Sequence, residues 1–116
     1  MKIFQTDVTK YDQCEWLVNE SIKEFEIDIL ILNAGIGAHS KFRDIKDETV
    51  IENVMKTNYL GYAYMMKAAL PHLKPGSHVV VLSSLSGEIG LPFWTVYCAS
   101  KFAVNGFFEA LRIEEP

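Results

Sequence analysis

Tyr97 and Lys101 are residues whose types and spacing in this 116-residue chain could perform chemistry together. On a helix, residues four apart lie on one face, a single turn from each other. A free tyrosine, with a pKa of about 10, is a poor base near neutral pH, and a lysine ammonium one turn away favours the phenolate. Ser84 adds a hydroxyl that could bind the oxygen of a carbonyl or an alcohol. The three side chains predict proton exchange with that oxygen while a nicotinamide exchanges hydride with its carbon.

Other interpretations of these residues are open at this point. A Tyr-x-x-x-Lys pair alone also occurs on the surface of an amphipathic helix, without a catalytic role. Ser83–Gly87 could suggest a serine hydrolase, but the sequence has no Gly-x-Ser-x-Gly motif and no histidine placed as a base. Cys98 is interpreted as a small packing residue rather than a nucleophile. Leu91–Trp94 either lines a substrate pocket or packs as an apolar loop on the following helix.

Alternating strand-like and helix-like segments must position these residues. Such alternation predicts an α/β fold with a parallel sheet, and Pro75-Gly76 is predicted to end the long helix before it. Polar or glycine-rich positions at Asp7, 33–37 and 83–87 follow the strands, at the edge where ligands bind in parallel sheets. The predicted strands are residues 2–5, 28–32 and 78–82, and the predicted helices are residues 12–25, 47–73 and 95–114.

Composition excludes several classes of function. The net charge is −4 and the basic residues are scattered, so no basic surface for nucleic acid is predicted. The longest apolar run, residues 27–37, is interrupted by Asp28 and Asn33 and is shorter than the roughly 20 residues that span a bilayer. No membrane segment is therefore predicted within this chain. The 2 cysteines and 3 histidines lack the spacing of metal ligands, and no metal site is predicted.

Two motifs in the first part of the chain resemble those of the short-chain dehydrogenase/reductase family. Asp7-Val8 is similar to the Asp-Val at the end of the family's third strand, which holds the adenine. Asn33-Ala34-Gly35 resembles the family's Asn-Asn-Ala-Gly turn after the fourth strand, with Leu32 in place of the first Asn.

Two further motifs extend the resemblance over essentially the whole chain. The segment 57–61, Thr-Asn-Tyr-Leu-Gly, is similar to the mid-helix motif whose Asn completes the family's catalytic tetrad. The interval from Ser84 to Tyr97 is also typical of the family. The resemblance implies a doubly wound Rossmann-type sheet of which this chain holds the third to fifth strands with their helices, lacking the first two and last two strands.

The resemblance also implies a role for each matched residue. Tyr97 is the general acid/base, Lys101 tunes Tyr97 and hydrogen-bonds the nicotinamide ribose, and Ser84 positions the reacting oxygen. Asn58 would hold a water that links Lys101 to solvent, which needs a local break in its helix. Gly35 would allow backbone dihedrals that a larger residue resists. The implied cofactor-binding residues are Asp7, Val8, Asn33, Ala34, Gly35, Tyr97 and Lys101.

Several segments resemble steroid- and retinoid-type reductases related to 11β-hydroxysteroid dehydrogenase. They imply a small lipophilic carbonyl or alcohol as substrate and NADP as cofactor, with NAD as the alternative. In the family, helices equivalent to 47–73 and 95–114 commonly form a homodimer interface. The implied compartment is the cytoplasm, or the endoplasmic reticulum if an N-terminal anchor precedes this segment. The segments that carry this resemblance are 29–33, 68–71, 79–85 and 100–108.

The family's glycine-rich dinucleotide turn has no counterpart here. Without the first two strands, residues 2–5 lose their neighbours and strand 28–32 loses one edge, unless residues 2–5 move into the vacant position beside it. Strand 78–82 would have an exposed edge. We therefore expect a partial dinucleotide-binding domain over residues 1–116, a truncated form that alone binds nicotinamide cofactor weakly or not at all. The alternative is a non-catalytic protein that binds partners through its long helices.

Overall fold

The computed structural model describes residues 1–115, which divide into two compact units. The first unit joins residues 1–34 to residues 60–82. The second joins residues 35–59 to the segment from Ser83 onward. The prediction of a single partial domain stays a prediction.

The first unit contains a parallel two-stranded sheet, as the α/β pattern predicts. Strand β1 is Ile27–Leu32 and strand β2 is Leu73–Val81, with Leu30 opposite Val79. The helical segment does end before Pro75-Gly76, as predicted, but this pair lies within β2, which begins at Leu73 and not at the predicted residue 78. Gly76 adopts a positive φ of 95°, and the register shifts between Ile27 and Ile29 to accommodate the extra residues.

Residues 2–5 form no strand in the structure, so the prediction of a strand there is wrong. They pair neither with β1 nor with β2, and the alternative position beside β1 is therefore not taken. A strand exists only through hydrogen bonds to a neighbour, and within residues 1–115 none is supplied to this segment. The Phe4 ring instead packs edge to face on Trp16, with ring centroids 5.8 Å apart.

Two helices cover one face of this unit. Helix α1, Tyr11–Ile22, packs against helix α3, Gly61–Ala69. Gly61 allows the segment before α1 to lie close to α3, because a Cβ atom there would be 2.8 Å from the Val8 side chain. The adjacent methionines of α3, Met65 and Met66, are buried. Buried side chains of this unit include Cys14, Val18, Leu32, Tyr62, Met65, Met66, Ala68 and Ala69.

The opposite face of the sheet is exposed. Ile29 and Ile31 of β1 are 59% and 60% exposed, and Val80 of β2 is also exposed. The apolar strand predicted over residues 28–32 is therefore only partly buried within the described residues. The side chains alternate along β1, so that Leu30 and Leu32 are less exposed than Ile29 and Ile31.

The second unit is helical. Helix α2 spans Thr49–Met55 and continues into a π-helical turn, Lys56–Leu60. Helix α4 spans Thr95–Glu114, which confirms the predicted bounds, and packs against α2 and a 3₁₀ helix at Leu85–Gly87. The predicted single helix over 47–73 is thus divided into α2, the π-helical turn, α3 and a 3₁₀ turn before β2 begins. Buried residues of the second unit include Val54, Asn58, Val96, Cys98, Ser100, Lys101 and Val104.

Candidate active site

Tyr97 and Lys101 lie one turn apart near the start of α4, as their spacing predicts. The Lys101 Nζ atom is 5.7 Å from the centroid of the Tyr97 ring. Lys101 is only 4% exposed, whereas Tyr97 is half-buried. Burial lowers the pKa of Lys101, because the ammonium loses hydration. The helix therefore holds a desolvated cation beside a phenol that remains accessible.

Tyr11 and Lys67 of the first unit form a similar pair, with Nζ 6.0 Å from the ring centroid. Lys67, however, is exposed to solvent. A cation beside a tyrosine ring is therefore not distinctive by itself. Burial of the lysine separates Tyr97–Lys101 from an ordinary surface pair, because water screens an exposed charge far more strongly.

Ser84 lies just beyond β2 and begins the 3₁₀ helix Leu85–Gly87. Its side chain is half-buried, and its Oγ accepts a hydrogen bond of 3.1 Å from the Ser86 N–H. This local cap fixes the Ser84 side chain at the turn. The turn packs against α4, the helix that carries Tyr97 and Lys101.

Gly87 and Asn105 join the Ser84 turn to α4. A Cβ atom on Gly87 would lie 2.7 Å from Asn105 Nδ2 and 3.0 Å from the Lys101 carbonyl oxygen, so only glycine allows this contact. Asn105 Nδ2 donates hydrogen bonds to the Gly87 carbonyl at 3.0 Å and to Glu88 Oε1 at 2.9 Å. No motif in the sequence predicted a role for either residue. The only available signals were that Gly87 closes a serine-rich stretch and that Asn105 lies one turn after Lys101.

Asn58 is fully buried, with 0% exposure, in the π-helical turn between α2 and α3. The helix break expected at Asn58 is therefore present. Its Nδ2 donates to the Ile36 carbonyl at 2.9 Å and to Ser100 Oγ at 3.0 Å, and its Oδ1 accepts from the Ile36 N–H at 2.8 Å. Ser100 Oγ in turn donates to the Tyr97 carbonyl at 2.7 Å. Asn58 thus connects the loop after Gly35 to the turn of α4 that carries Tyr97.

Ser100 is a further buried polar residue of this network, and no motif in the sequence predicted a role for it. It lies between Tyr97 and Lys101 in the sequence, and its side chain is fully buried. Its small polar side chain on the inward face of α4 was the only signal for such a role.

The implied cofactor residues fall in both units. Asp7, Val8, Asn33 and Ala34 belong to the first unit, and Gly35, Tyr97 and Lys101 belong to the second. The turn 33–35 follows the carboxyl end of β1 and is exposed.

Asp7 begins a turn before α1. Its Oδ1 accepts hydrogen bonds from the Thr9 hydroxyl at 2.7 Å and the Thr9 N–H at 2.9 Å. These bonds hold the pKa of Asp7 below its ordinary value, with the hydroxyl contributing most. The carboxylate is thus ionised and oriented at the point where the chain enters α1.

The structure also describes the surroundings of Cys98 and of the Leu91–Trp94 loop. Cys98 is buried and its Sγ accepts a hydrogen bond from the Leu91 N–H, which confirms its assignment as a packing residue. Trp94 packs against Tyr97, with ring centroids 5.4 Å apart. In the described part of the chain, no group of three His, Cys, Asp or Glu side chains could hold a metal ion. No helix among residues 1–115 has the length and apolar character to cross a membrane.

Comparison with known proteins identifies the family. The family model described as short chain dehydrogenase matches residues 1–116. The chain is 37% identical over 114 residues to 11-beta-hydroxysteroid dehydrogenase A of Sesamum indicum, covering 97% of this chain and 33% of that protein. It is 36% identical over 116 residues to retinol dehydrogenase 8 of Bos taurus, covering 98% and 36%.

Solved structures show the same fold. The chain matches ElxO with NADP bound at a TM-score of 0.90 and 32% identity, over 97% of this chain and 47% of that one. It matches a short chain dehydrogenase/reductase from Burkholderia phymatum in complex with NAD at a TM-score of 0.87 and 27% identity, over 93% and 40%. The chain thus spans about a third of the length of these curated relatives and under half of these solved chains. By its sequence and by its fold, it belongs to the short-chain dehydrogenase family.

Proposed function

We propose that the protein is an NAD(P)-dependent oxidoreductase that interconverts a carbonyl and an alcohol on a lipophilic substrate, with Tyr97 as general acid/base. The observation that carries this proposal is the buried Lys101 ammonium beside the accessible Tyr97 ring. The names of the relatives, which refer to hydroxysteroid and retinol dehydrogenases, support a lipophilic substrate. Solved relatives carry NADP or NAD. We propose NADP(H) as the cofactor.

The residues present fit the nicotinamide ribose. The Lys101 ammonium has three N–H donors, and donors of this kind match ribose hydroxyls. Its burial strengthens any such hydrogen bond, because the local dielectric is low. We propose that Lys101 orients the ribose of the cofactor, which supplies or accepts the hydride when bound.

Tyr97 would exchange the proton in this scheme. During reduction its hydroxyl donates a proton to the carbonyl oxygen as the alcohol forms, and during oxidation the phenolate removes it. The Lys101 cation stabilises that phenolate. Ser84 Oγ would donate a hydrogen bond to the same oxygen and hold it in place for proton transfer.

Proton exchange with solvent is assigned to the π-helical turn. Both Nδ2 hydrogens of Asn58 are used by Ile36 and Ser100. A water that links Lys101 to solvent would therefore be held by the main chain of this turn rather than by the Asn58 amide. Irregular helical turns of this kind often occur at functional sites.

Lys101→Met tests the proposed function in protein expressed from its complete gene. Wild-type protein is expected to oxidise NADPH with a lipophilic ketone such as 2-decalone. Lys101→Met is expected to lower kcat/KM by about 10²- to 10⁴-fold, because the phenolate loses its stabilising charge. Lys67→Met is the matched control, since Lys67 also lies over a tyrosine ring, and it is expected to leave the rate unchanged.

NADPH absorbance gives the rate, and NADPH fluorescence gives the cofactor affinity. The 116-residue chain alone is expected to bind NADPH weakly or not at all, and micromolar affinity would contradict that expectation. Failure of the protein from the complete gene to turn over any ketone or secondary alcohol with either cofactor would refute the proposed function. Equal losses in Lys101→Met and Lys67→Met would remove its structural basis.

We also propose that two copies pair through the helices within 47–73 and 95–114. Phe102 on α4 is exposed, as is Ile113 in its last turn. Exposed apolar side chains on a helix often mark a protein–protein interface. Sedimentation velocity at micromolar concentration is expected to give a dimer that Phe102→Glu dissociates. A wild-type protein that sediments as a single chain would contradict this pairing.

A further inference from the structure

Trp94 is at the centre of a group of aromatic rings beside Tyr97, all within the second unit. Its ring centroid lies 5.4 Å from that of Tyr97, with the planes at 63°. The His39 imidazole lies 5.0 Å from Trp94 and 5.5 Å from Phe93. His39 is 55 residues before Trp94 in the sequence, so only the fold brings these rings together.

The position of the Trp94 indole is fixed by its neighbours. A Cβ atom on Gly37 would lie 3.1 Å from Trp94 Cζ3, so the indole rests against the bare Cα of a glycine. The Ser40 N–H donates a hydrogen bond of 2.9 Å to the Phe93 carbonyl, which ties the two loops together. Asn58 also holds the loop after Gly35, through its hydrogen bonds to the Ile36 main chain. The Asn58 amide therefore helps to position both the Trp94 indole and Tyr97.

The backbone at Phe93 supports a functional rather than a purely structural role for this group. Phe93 has a φ of 68°, and no other non-glycine residue of the described chain has a positive φ. A bulky residue adopts this region only when its surroundings enforce it, and such residues concentrate at binding sites and active sites. Neither Phe93 nor His39 is buried, so the strain does not serve a hydrophobic core.

Trp94 itself retains accessible surface. The core of the second unit consists of side chains such as Val54, Val96 and Val104, all almost fully buried, and Trp94 is not among them. Its indole contacts Gly37, His39 and Tyr97 while remaining only half-buried. A large, fixed and partly open aromatic surface next to the proton-exchanging group suits contact with a flat ligand, because little entropy is lost on binding.

We propose that Trp94 is a specificity-determining residue that favours planar, unsaturated or fused aromatic ring substrates over saturated rings of the same size. Gly37 and His39 act as positioning residues that hold its indole. The inference rests on the proposed function, since it concerns which carbonyl or alcohol reaches Tyr97. An aromatic pair contributes binding free energy beyond that of the apolar area that it buries. Trp94 would therefore bind a planar aromatic ligand more tightly than a saturated ligand of equal size.

Trp94→Leu tests the inference with 2-tetralone and 2-decalone, ketones of similar size that differ in the planarity of one ring. The measured quantity is the ratio of kcat/KM for the two ketones in protein from the complete gene. Trp94→Leu is expected to lower the tetralone preference about two- to twelvefold, through KM, whereas Trp94→Phe retains most of it. Gly37→Ala is expected to lower the ratio while the indole is still present. Trp16→Leu is the matched control and is expected to leave the ratio unchanged, because the Trp16 ring packs on Phe4.

The ratio separates specificity from folding, because a general loss of activity affects both ketones equally. An unchanged ratio in an active Trp94→Leu enzyme would overturn the inference and leave the proposed function intact.

A binding measurement separates the inference from catalysis. The 116-residue chain, which has 2 tryptophans, is used for this measurement, because Trp16→Phe then leaves Trp94 as its only tryptophan. Saturable quenching of Trp94 by 2-tetralone, but not by 2-decalone, would support the inference even if no turnover occurred and the proposed function failed. Equal quenching by both ketones, or none by either, would overturn it.

Discussion

Tyr97→Phe is expected to lower kcat by about 10²- to 10⁴-fold in protein from the complete gene, the range that one general acid/base supplies. The substitution removes only the hydroxyl. The phenyl ring can still pack against Trp94 and beside Lys101, so the local structure and the cofactor affinity should change little. Rates of NADPH oxidation with a saturating lipophilic ketone give kcat, and NADPH fluorescence titration gives the affinity.

Tyr11→Phe is the control for this experiment. Tyr11 has a lysine above its ring as Tyr97 does, but it lies in the first unit and its lysine is exposed. Its loss of a hydroxyl is expected to leave kcat within about twofold, because the group takes no part in proton transfer. A Tyr97→Phe enzyme that keeps more than a tenth of wild-type kcat would show that another group exchanges the proton.

Asn58→Ala is expected to lower the free energy of unfolding by about 2–4 kcal/mol. The amide makes three hydrogen bonds, and its loss leaves the Ile36 main chain and the Ser100 hydroxyl without these partners. An unpaired buried polar group costs about 1–3 kcal/mol, and the Ile36 groups recover part of this from water because Ile36 is exposed. Urea denaturation followed by circular dichroism measures the change.

Asn53→Ala provides the matched comparison. Asn53 lies on the exposed side of α2, and its replacement is expected to alter stability by less than about 0.5 kcal/mol. A double-mutant cycle with Ser100→Ala should give a coupling energy of at least about 0.5 kcal/mol, since Asn58 and Ser100 are hydrogen-bonded. If Asn58→Ala and Asn53→Ala were equally mild, the amide would not be the connection between the loop and α4.

The hydrogen bonds of Asn58 also explain why its effect should reach Tyr97. Ser100 accepts from Asn58 and donates to the Tyr97 carbonyl, so one polar network joins the π-helical turn to the first turns of α4. Such networks hold a side chain within the narrow limits that proton transfer requires. Asn58→Ala should therefore lower kcat by a larger factor than it changes KM, in addition to lowering the free energy of unfolding.

The sequence by itself predicted several of the local elements and the residues that are proposed to react. Helix α4 follows its predicted bounds because its apolar periodicity and its flanking breakers act within a few residues. The Tyr97–Lys101 spacing determines their shared face for the same reason, since helix geometry relates residues four apart. The parallel pairing of β1 and β2 followed from the strand–helix alternation.

The tertiary structure alone decided everything that depends on contacts between distant segments. Residues 2–5 have strand-like composition but form no strand, because pairing requires a neighbour that the described chain does not supply. β2 begins at Leu73, ahead of Pro75-Gly76, because Ser77 Oγ bonds both the Lys74 N–H and the Ile27 carbonyl. No local pattern encodes that interaction.

The same distinction holds at the candidate site. The residue types at 97 and 101 predicted proton chemistry, but burial of Lys101 distinguishes this pair from Tyr11 and Lys67, and burial is a property of packing. Asn58 reaches Ser100 across 42 residues. Periodicity and spacing describe single segments, whereas desolvation and hydrogen-bond partners depend on which segments the fold brings together. The sequence therefore determined which groups could react, and the tertiary structure decided which of them are held and desolvated to do so.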